Sequence, residues 1–457
     1  MDKKRISRRE MLKLMGLGAA GAILAACQPK ATEAPATEAP KEEPTAEMPS
    51  GETVELVLMY NANEISEDNI NQFNADYAPL HLTRIDTDLV KFFSMIAADQ
   101  PVDAVRLYGT YMPNYVAKGV CLDLTSYFEA SDVLKIDNLF PVNDLFKVEG
   151  KRYGCVKDWS PDYSIWINKK LWGQVGVPVP ESYDKEINYT EWRELSKKLT
   201  QKDGDRTLVF GTAFEPHTNY LFWLTNTLDP PRTIFTEDFK KMNLMNDKEI
   251  YETIKFVQEW KKEGGLPSVI TPFVSASWSG QDWVQGQAAA VQWGYWFGGM
   301  AVSDAVSDDD IFMMRAPTWG KVYSNPCGSG CGIFASAKTK NPDATWKLIE
   351  WFMGKEPAQD RAKSGWGVPA TKNYLDLMPR DKPWRQQAYD VVQFELANTK
   401  VPVVSFSPYT TPDSLMTAWS KYEEPYLKDE ISLDEFITNV ENEVNVSIQE
   451  GLELIGG

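Results

Sequence analysis

Apolar residues fall into two rhythms along this chain. In Val54-Glu55-Leu56-Val57-Leu58-Met59-Tyr60 they are β-branched or alternate in part with polar ones, which predicts a first strand. Strand-like runs then alternate with helical ones. Asn246 followed by Glu249 reads as a capping-box-like start, with Ile250, Ile254 and Val257 at helical spacing behind it. Asn341-Pro342-Asp343 opens another helix with proline at its first position, carrying Ala344, Leu348, Ile349 and Phe352. Such alternation predicts an α/β body with mainly parallel sheets and helices. No repeat of about 20 to 50 residues runs through that body, which argues against a solenoid or propeller.

The pattern before Val54 is of another kind. Lys3, Lys4, Arg5, Arg8 and Arg9 precede Leu12 and the apolar run through Ala26, a stretch too short for a lasting membrane span and suited to a cleaved export signal over residues 1–26. Ser7-Arg8-Arg9-Glu10-Met11-Leu12-Lys13 resembles the twin-arginine export motif, with Met11 where phenylalanine is usual. Leu24-Ala25-Ala26-Cys27 resembles a bacterial lipobox, so Cys27 is expected to carry lipid and become the new N-terminus. Ala-Thr-Glu-Ala-Pro repeats then begin an acidic, proline-interrupted stretch, and residues 27–52 are expected to be a lipidated cysteine and a disordered tether. The expected location is the outer face of the cytoplasmic membrane, held by a lipid anchor.

Charge narrows the function. The 457 residues carry a formal charge of −18, and −22 once residues 1–26 are removed, which argues against a nucleic-acid partner. His81 and His217 are the only histidines, so histidine-dependent zinc sites and most serine or cysteine triads lack their ligand or base. No metal and no cofactor are expected. Beyond Cys27 there are Cys121, Cys155, Cys327 and Cys331, enough for two bridges in three connectivities. Export in folded form weakens the case for bridges, and Cys121 and Cys155 read as buried thiols. On an extended strand Cys327 and Cys331 would lie about 13 Å apart, so a bridge there requires a turn through Gly-Ser-Gly.

Three segments carry a family resemblance. Gln100-Pro101-Val102-Asp103-Ala104-Val105-Arg106 leads to Gly119-Val120-Cys121-Leu122-Asp123-Leu124-Thr125. Gly150-Lys151-Arg152-Tyr153-Gly154 is followed by Asn168-Lys169-Lys170-Leu171 and Gly176-Val177-Pro178. Gly328-Ser329-Gly330-Cys331-Gly332-Ile333 leads to Asn341-Pro342-Asp343-Ala344-Thr345-Trp346 and Gly367-Val368-Pro369-Ala370. In order and spacing these resemble the maltose-binding-protein-like, family 1 extracellular solute-binding proteins of ABC importers. The resemblance implies an α/β, two-lobed periplasmic-binding-protein fold of type II, its lobes joined by hinge crossovers near Val156 to Ser160, Arg315 to Thr318 and Lys363 to Pro369. The lobes would be residues 53–157 with 316–364, and residues 158–315 with 365–457.

A pyranose offers an apolar C–H face and a ring of hydroxyls, so its site needs aromatic platforms and a few placed polar groups. The chain has 16 Trp and 19 Tyr. The resemblance places Trp159, Trp293, Trp296 and Trp366 at the cleft, with Asp158 accepting hydroxyl hydrogen bonds and Arg106 and Tyr108 beside them. Asn61, Asn63 and Glu64 follow the first strand at the carboxyl end, where open α/β sheets bind ligands. Trp192, Trp260, Trp346 and Trp351 read instead as core or surface helix residues. The expected partners are a carbohydrate or other small-molecule solute and the ABC permease subunits, with the chain itself a monomer and no enzyme. The alternatives are a receptor for a polyol, glycerol phosphate ester, polyamine or peptide, or an extracytoplasmic glycoside hydrolase or lyase. Gly328-x-Gly330-x-Gly332 does not match the dinucleotide fingerprint, and Gly328-Ser329-Gly330 lacks the flanks of a nucleophile elbow.

Overall fold

The computed structural model describes residues 52–100, 102–214, 220–272, 278–303, 305–328, 330–400 and 403–455. The expected export signal, Cys27 and all but the last residue of the tether lie outside the described residues, as does His217. The chain divides into two compact units, one of residues up to 103 with 338–344, the other of residues 104–337 with those from 345 onward.

In the first unit the alternating run forms strand β1 (Val54–Met59), with Leu56, Leu58 and Met59 fully buried. It pairs in parallel with β2 (Leu80–Ile85), Val54 opposite Leu80 and Met59 opposite Ile85. A parallel pair needs a crossover, supplied by helix α1 (Glu67–Asp76), whose Ser66 and Asn69 form a reciprocal capping box. Helix α2 (Leu89–Ala97) follows, capped by Asp88 and burying Phe92. Buried Asp103 ties the unit together: its carboxylate accepts from the Val57 amide at 2.7 Å and the Thr339 hydroxyl at 2.5 Å. Burial raises its pKa, and those two bonds oppose the shift.

The second unit carries two four-membered strand sets. The strands of these two sets are β3 (Ala104–Tyr108), β4 (Gly154–Trp159), β5 (Ile165–Asn168), β6 (Ala213–Phe214), β7 (Ala290–Gln292), β8 (Ile311–Met314), β9 (Cys331–Ala335) and β10 (Val368–Pro369). One set runs β10-β4-β9-β3 and the other β6-β7-β5-β8. β6 and β7 are parallel; β9 is antiparallel to β3 and β4, β10 to β4, and β7 and β8 to β5. The antiparallel pairs arise where the chain leaves one set after β4 for β5 and re-enters it from β8 at β9. The glycines of that return segment have a steric role. A Cβ on Gly332 would stand 2.2 Å from the Cys155 carbonyl oxygen, so only glycine lets β9 lie this close to β4.

Among the helices of the body are α3 (Met112–Ala117), α4 (Tyr189–Leu199), α5 (Lys248–Lys262), α6 (Ser279–Val284), α7 (Pro342–Gly354), α8 (Pro383–Asn398), α9 (Pro412–Leu427) and α10 (Leu433–Ile455). α7 starts at Pro342 as its pattern predicts, and Leu348, Ile349 and Phe352 are fully buried. α5 starts one residue later than expected. Its cap is Asp247, whose carboxylate accepts from the Glu249 and Ile250 amides and also binds Arg232, while Asn246 turns to Asn243. An ionised carboxylate at a helix N-terminus meets two amide donors and the dipole together. Ile250, Ile254 and Val257 are buried as their spacing requires. α8 packs on β8, and α9 packs on α10 and α5. Trp172, Trp192, Trp223, Trp260 and Trp419 fill the core around these helices and β5. Trp346 and Trp351 are buried on α7. Among the described residues no helix is long and apolar enough to cross a membrane.

Candidate functional site

Four strands of the second unit end, or begin, at one rung. Cys331 at the start of β9 stands opposite Tyr108 at the end of β3 and opposite Asp158 near the end of β4, and Asp158 stands opposite Pro369 of β10. Tyr108, Cys331 and Asp158 therefore share the edge of the sheet at the carboxyl ends of β3 and β4, the position at which open α/β sheets hold ligands. The Arg106 guanidinium lies 4.6 Å from the Tyr108 ring centre and donates to its hydroxyl at 3.2 Å. Asp158 forms an ion pair with Lys157 at 3.0 Å, with both side chains largely enclosed. The pairing is thus an interior one, where weak solvent screening strengthens the attraction.

Asn143 fixes this rung from below. Its buried amide oxygen accepts from the Val156 amide at 3.0 Å, and its NH₂ donates to the Phe140 and Ala370 carbonyls, each at 3.0 Å. One side chain thereby joins β4, which carries Asp158, to the turn after β10, which follows Trp366. Trp159 is 6% exposed; its indole N–H donates to the Pro369 carbonyl at 3.2 Å, and Phe140 packs on its ring. It is the most enclosed of the four expected cleft tryptophans.

The other three stand together. β7 ends at Gln292, and the chain turns so that Trp293 and Trp296 are half-buried while Tyr295 between them is buried. Their ring centres lie 5.1 Å apart, edge to face, and Trp366 lies 6.5 Å from Trp296. The backbone of Trp296 is set by a 3.4 Å hydrogen bond from its amide to the Ser160 hydroxyl, directly after β4. Trp366 is adjacent to Gly367, which approaches Asp158 so closely that a Cβ there would stand 2.9 Å from the Asp158 Cβ. The platform and the carboxylate rung are therefore contiguous. Asn61, Asn63 and Glu64 belong to the first unit, where Asn61 donates to the Glu64 carboxylate at 2.9 Å.

Two residues of this neighbourhood escaped the sequence reading. Trp278, half-buried just before α6, lies 6.1 Å from Trp296 in a nearly parallel plane. The local signal was Trp278-Ser279-Gly280: a Cβ on Gly280 would fall 2.0 Å from the indole, so the glycine lets the ring fold over the helix start. Asp162 accepts from the Gly328 amide at 2.7 Å and from the Cys327 thiol, and its own amide donates to the Pro326 carbonyl at 3.2 Å. Burial pushes its pKa up to about 7, against those two bonds, with the nearby Asp158 charge raising it further. Glu395 of α8 holds the same two chain segments. It accepts from the Ala316 amide at 2.9 Å, the Tyr323 hydroxyl at 2.7 Å and the Ser164 hydroxyl at 3.3 Å. None of Cys121, Cys155, Cys327 and Cys331 is bridged.

The architecture has solved counterparts. A substrate-binding protein of an ABC transporter from Listeria monocytogenes, in complex with cycloalternan, is 21% identical, with a TM-score of 0.71 over 87% of this chain and 98% of its own. The sugar-binding protein MalE from Xanthomonas citri is 15% identical, with a TM-score of 0.65 over 87% and 98%. A solute-binding protein from Agrobacterium vitis with bound D-mannitol is 16% identical, with a TM-score of 0.64 over 88% and 98%. These likenesses show a two-lobed α/β binding-protein fold. No functionally curated protein matches the sequence. The profile described as bacterial extracellular solute-binding protein matches residues 86–359, more than half of the chain, so the protein belongs to that family.

Proposed function

We propose that this chain is the substrate-capturing lipoprotein of an ABC-type importer and that its solute is a carbohydrate, delivered unchanged to the membrane permease. The observation that carries the reading is the contiguous platform of Trp293, Trp296 and Trp366 against the Asp158 rung. Flat indoles suit the C–H faces of a pyranose, and a carboxylate can accept from two adjacent hydroxyls. Arg106 and Tyr108 supply further polar contacts, Trp159 steadies the strand end, and Asn61, Asn63 and Glu64 enter on their strand-end position alone. The cycloalternan-bearing structure with the same fold supports the carbohydrate class, and the mannitol-bearing one keeps the polyol alternative in the screen.

Residues 53–157 with 316–364 would form one lobe and residues 158–315 with 365–457 the other, closing on the solute as a monomer. Cys27 would carry the acyl chains after removal of residues 1–26, leaving the binding body tethered outside the membrane. A thermal-shift screen of the body from Ser50 onward tests the reading against mono-, di- and oligosaccharides, polyols, amino acids, polyamines and phosphate esters. A ligand of the native state raises the melting temperature with its concentration over its dissociation constant. Stabilisation by a sugar without its consumption is the expected result. Stabilisation only by another class overturns the carbohydrate assignment, and turnover of the sugar overturns the receptor role.

A further inference from the structure

Asp162 stands where the parts of the candidate site meet. Its carboxylate accepts from the Gly328 amide at 2.7 Å and from the Cys327 thiol, on the segment that leads into β9. The turn that carries the platform lies against the same group. A Cβ on Gly294 would stand 2.6 Å from Asp162 Oδ1 and 2.4 Å from the Ser160 Cβ, so glycine alone lets the residue before Tyr295 approach this closely. Ser160, on the same short segment, holds the Trp296 amide through its hydroxyl at 3.4 Å. Asp158 acts on Asp162 by charge. Part of the residue reaches the surface, but its carboxyl is enclosed. A shift of Asp162 is therefore felt by the carboxylate rung and by the platform together.

The bonds that enclose this carboxyl cross the proposed lobe boundary. Under that division Asp162 falls in one lobe, and Cys327 and Gly328 in the other. The neighbouring bonds cross it too: the Tyr163 amide donates to the Asn325 side chain at 2.8 Å, and Asn325 donates to the Ser164 hydroxyl at 3.0 Å. Parting of the lobes would pull on these bonds and admit water to the carboxyl, and closure would shut water out. The titratable groups facing it are Asp158 and Tyr163 on its own segment and Cys327 on the returning one, and none of them brings a positive charge. Gly294, on the platform turn, has no side chain to titrate. Lys157 pairs with Asp158. A carboxyl enclosed among such neighbours keeps its proton, whereas a hydrated one releases it. Glu395 grips the returning segment as well, through Ala316 and Tyr323, but there the Arg315 charge opposes the effect of burial.

Granting the carbohydrate-receptor reading on which this rests, we infer that Asp162 is a positioning residue whose protonation is coupled to capture: it takes a proton from solvent as the lobes close on a solute and returns it when they part. Closure is the state that raises the Asp162 pKa, to about 7, so affinity is highest in acid. It should fall by about tenfold between about pH 6 and about pH 8 and level off above that. The test is calorimetric titration of the body from Ser50 onward with the sugars and polyols of the thermal-shift screen, maltose, maltotriose, mannobiose and D-mannitol among them. Titrating in two buffers of different ionisation enthalpy reads the protons taken up with each solute. The expected uptake is about one proton per solute near pH 6 and almost none near pH 8.5. Asp162→Asn keeps an acceptor for the Gly328 amide and the Cys327 thiol but cannot ionise, so it should abolish the uptake and leave affinity level across this range. A merely structural role would instead lower affinity equally at every pH. The parent titrations need no variant to fold: binding without proton uptake overturns the inference and leaves the sugar receptor standing. Uptake that persists in Asp162→Asn assigns the proton to another group and overturns it as well. Absence of binding by every sugar and polyol overturns the carbohydrate reading itself, and this inference with it.

Discussion

Asn143→Ala separates a buried connector from a decorative one. The substitution removes the acceptor of the Val156 amide and the donors to the Phe140 and Ala370 carbonyls, all within the packed junction of β4 and β10. An orphaned buried amide costs about 1–3 kcal/mol, and each of the two lost bonds to a carbonyl about 0.5–1.5 kcal/mol, giving about 2–6 kcal/mol in total. Roughly 400 folded residues, at about 2.1 cal/mol/K each, give an unfolding entropy near 0.8 kcal/mol/K, so the melting temperature should fall by about 2–7 °C. Asn138→Ala is the matched control. Its bonds to Asn373, of 2.8 and 3.1 Å, lie at the exposed surface where water replaces them, and a change of about 1 °C or less is expected. The assay is calorimetry of both variants beside the parent chain. Because Asn143 joins the strand carrying Asp158 to the turn after Trp366, the same variant should also bind its solute more weakly. If Asn143→Ala melts no lower than Asn138→Ala, the reasoning about this junction is wrong.

Other consequences can be checked alongside. Trp296→Ala and Trp366→Ala should each weaken solute binding by about 1–3 kcal/mol, measured by titration calorimetry; unchanged affinity in both would remove them from the site. The folded-state pKa of Asp162 is raised to about 7, so its contribution to stability is full at pH below the ordinary value of 3.8 and declines as pH rises through about 7. Asp162→Asn should flatten that part of the melting-temperature profile between about pH 4 and 7, and an unaltered profile would count against the buried-carboxyl assignment. Gly332→Ala forces a Cβ onto the Cys155 carbonyl and should yield a chain that melts markedly lower or fails to accumulate as soluble protein. Cys27→Ser should leave the protein unacylated and shift it from the membrane to the soluble fraction, visible on phase partitioning; retention at the membrane would refute the lipid-anchor proposal.

Much of the frame was legible because it rests on local physics. β1 follows from apolar, β-branched residues at its own positions, and α7 from Pro342 at a helix start with Leu348, Ile349 and Phe352 behind it. The start of α5 was off by one because Asn246 and Asp247 are both competent caps. The choice fell to Asp247, which Arg232 engages from 15 residues away. The site was less legible. Whether an indole is open or enclosed depends on distant partners: Trp159 is closed over by Pro369, 210 residues along the chain. Trp278 was passed over because its role appears only when Trp296 is brought beside it. Asp162 lies four residues from Asp158, yet its chemistry is set by Gly328 and Cys327 on the returning segment.

The unbridged sulfurs have a practical consequence. Cys121, Cys155 and Cys327 are buried, whereas Cys331 is partly exposed, on the same strand rung as Tyr108 and Asp158. In a body that begins after Cys27, a thiol-directed dye should therefore couple selectively at Cys331, because access governs which thiol reacts. A fluorophore there would sit at the lip of the platform, and its emission would change as a solute displaces water around it. The protein thus carries, in one natural side chain, the attachment point for an optical sensor of its own occupancy.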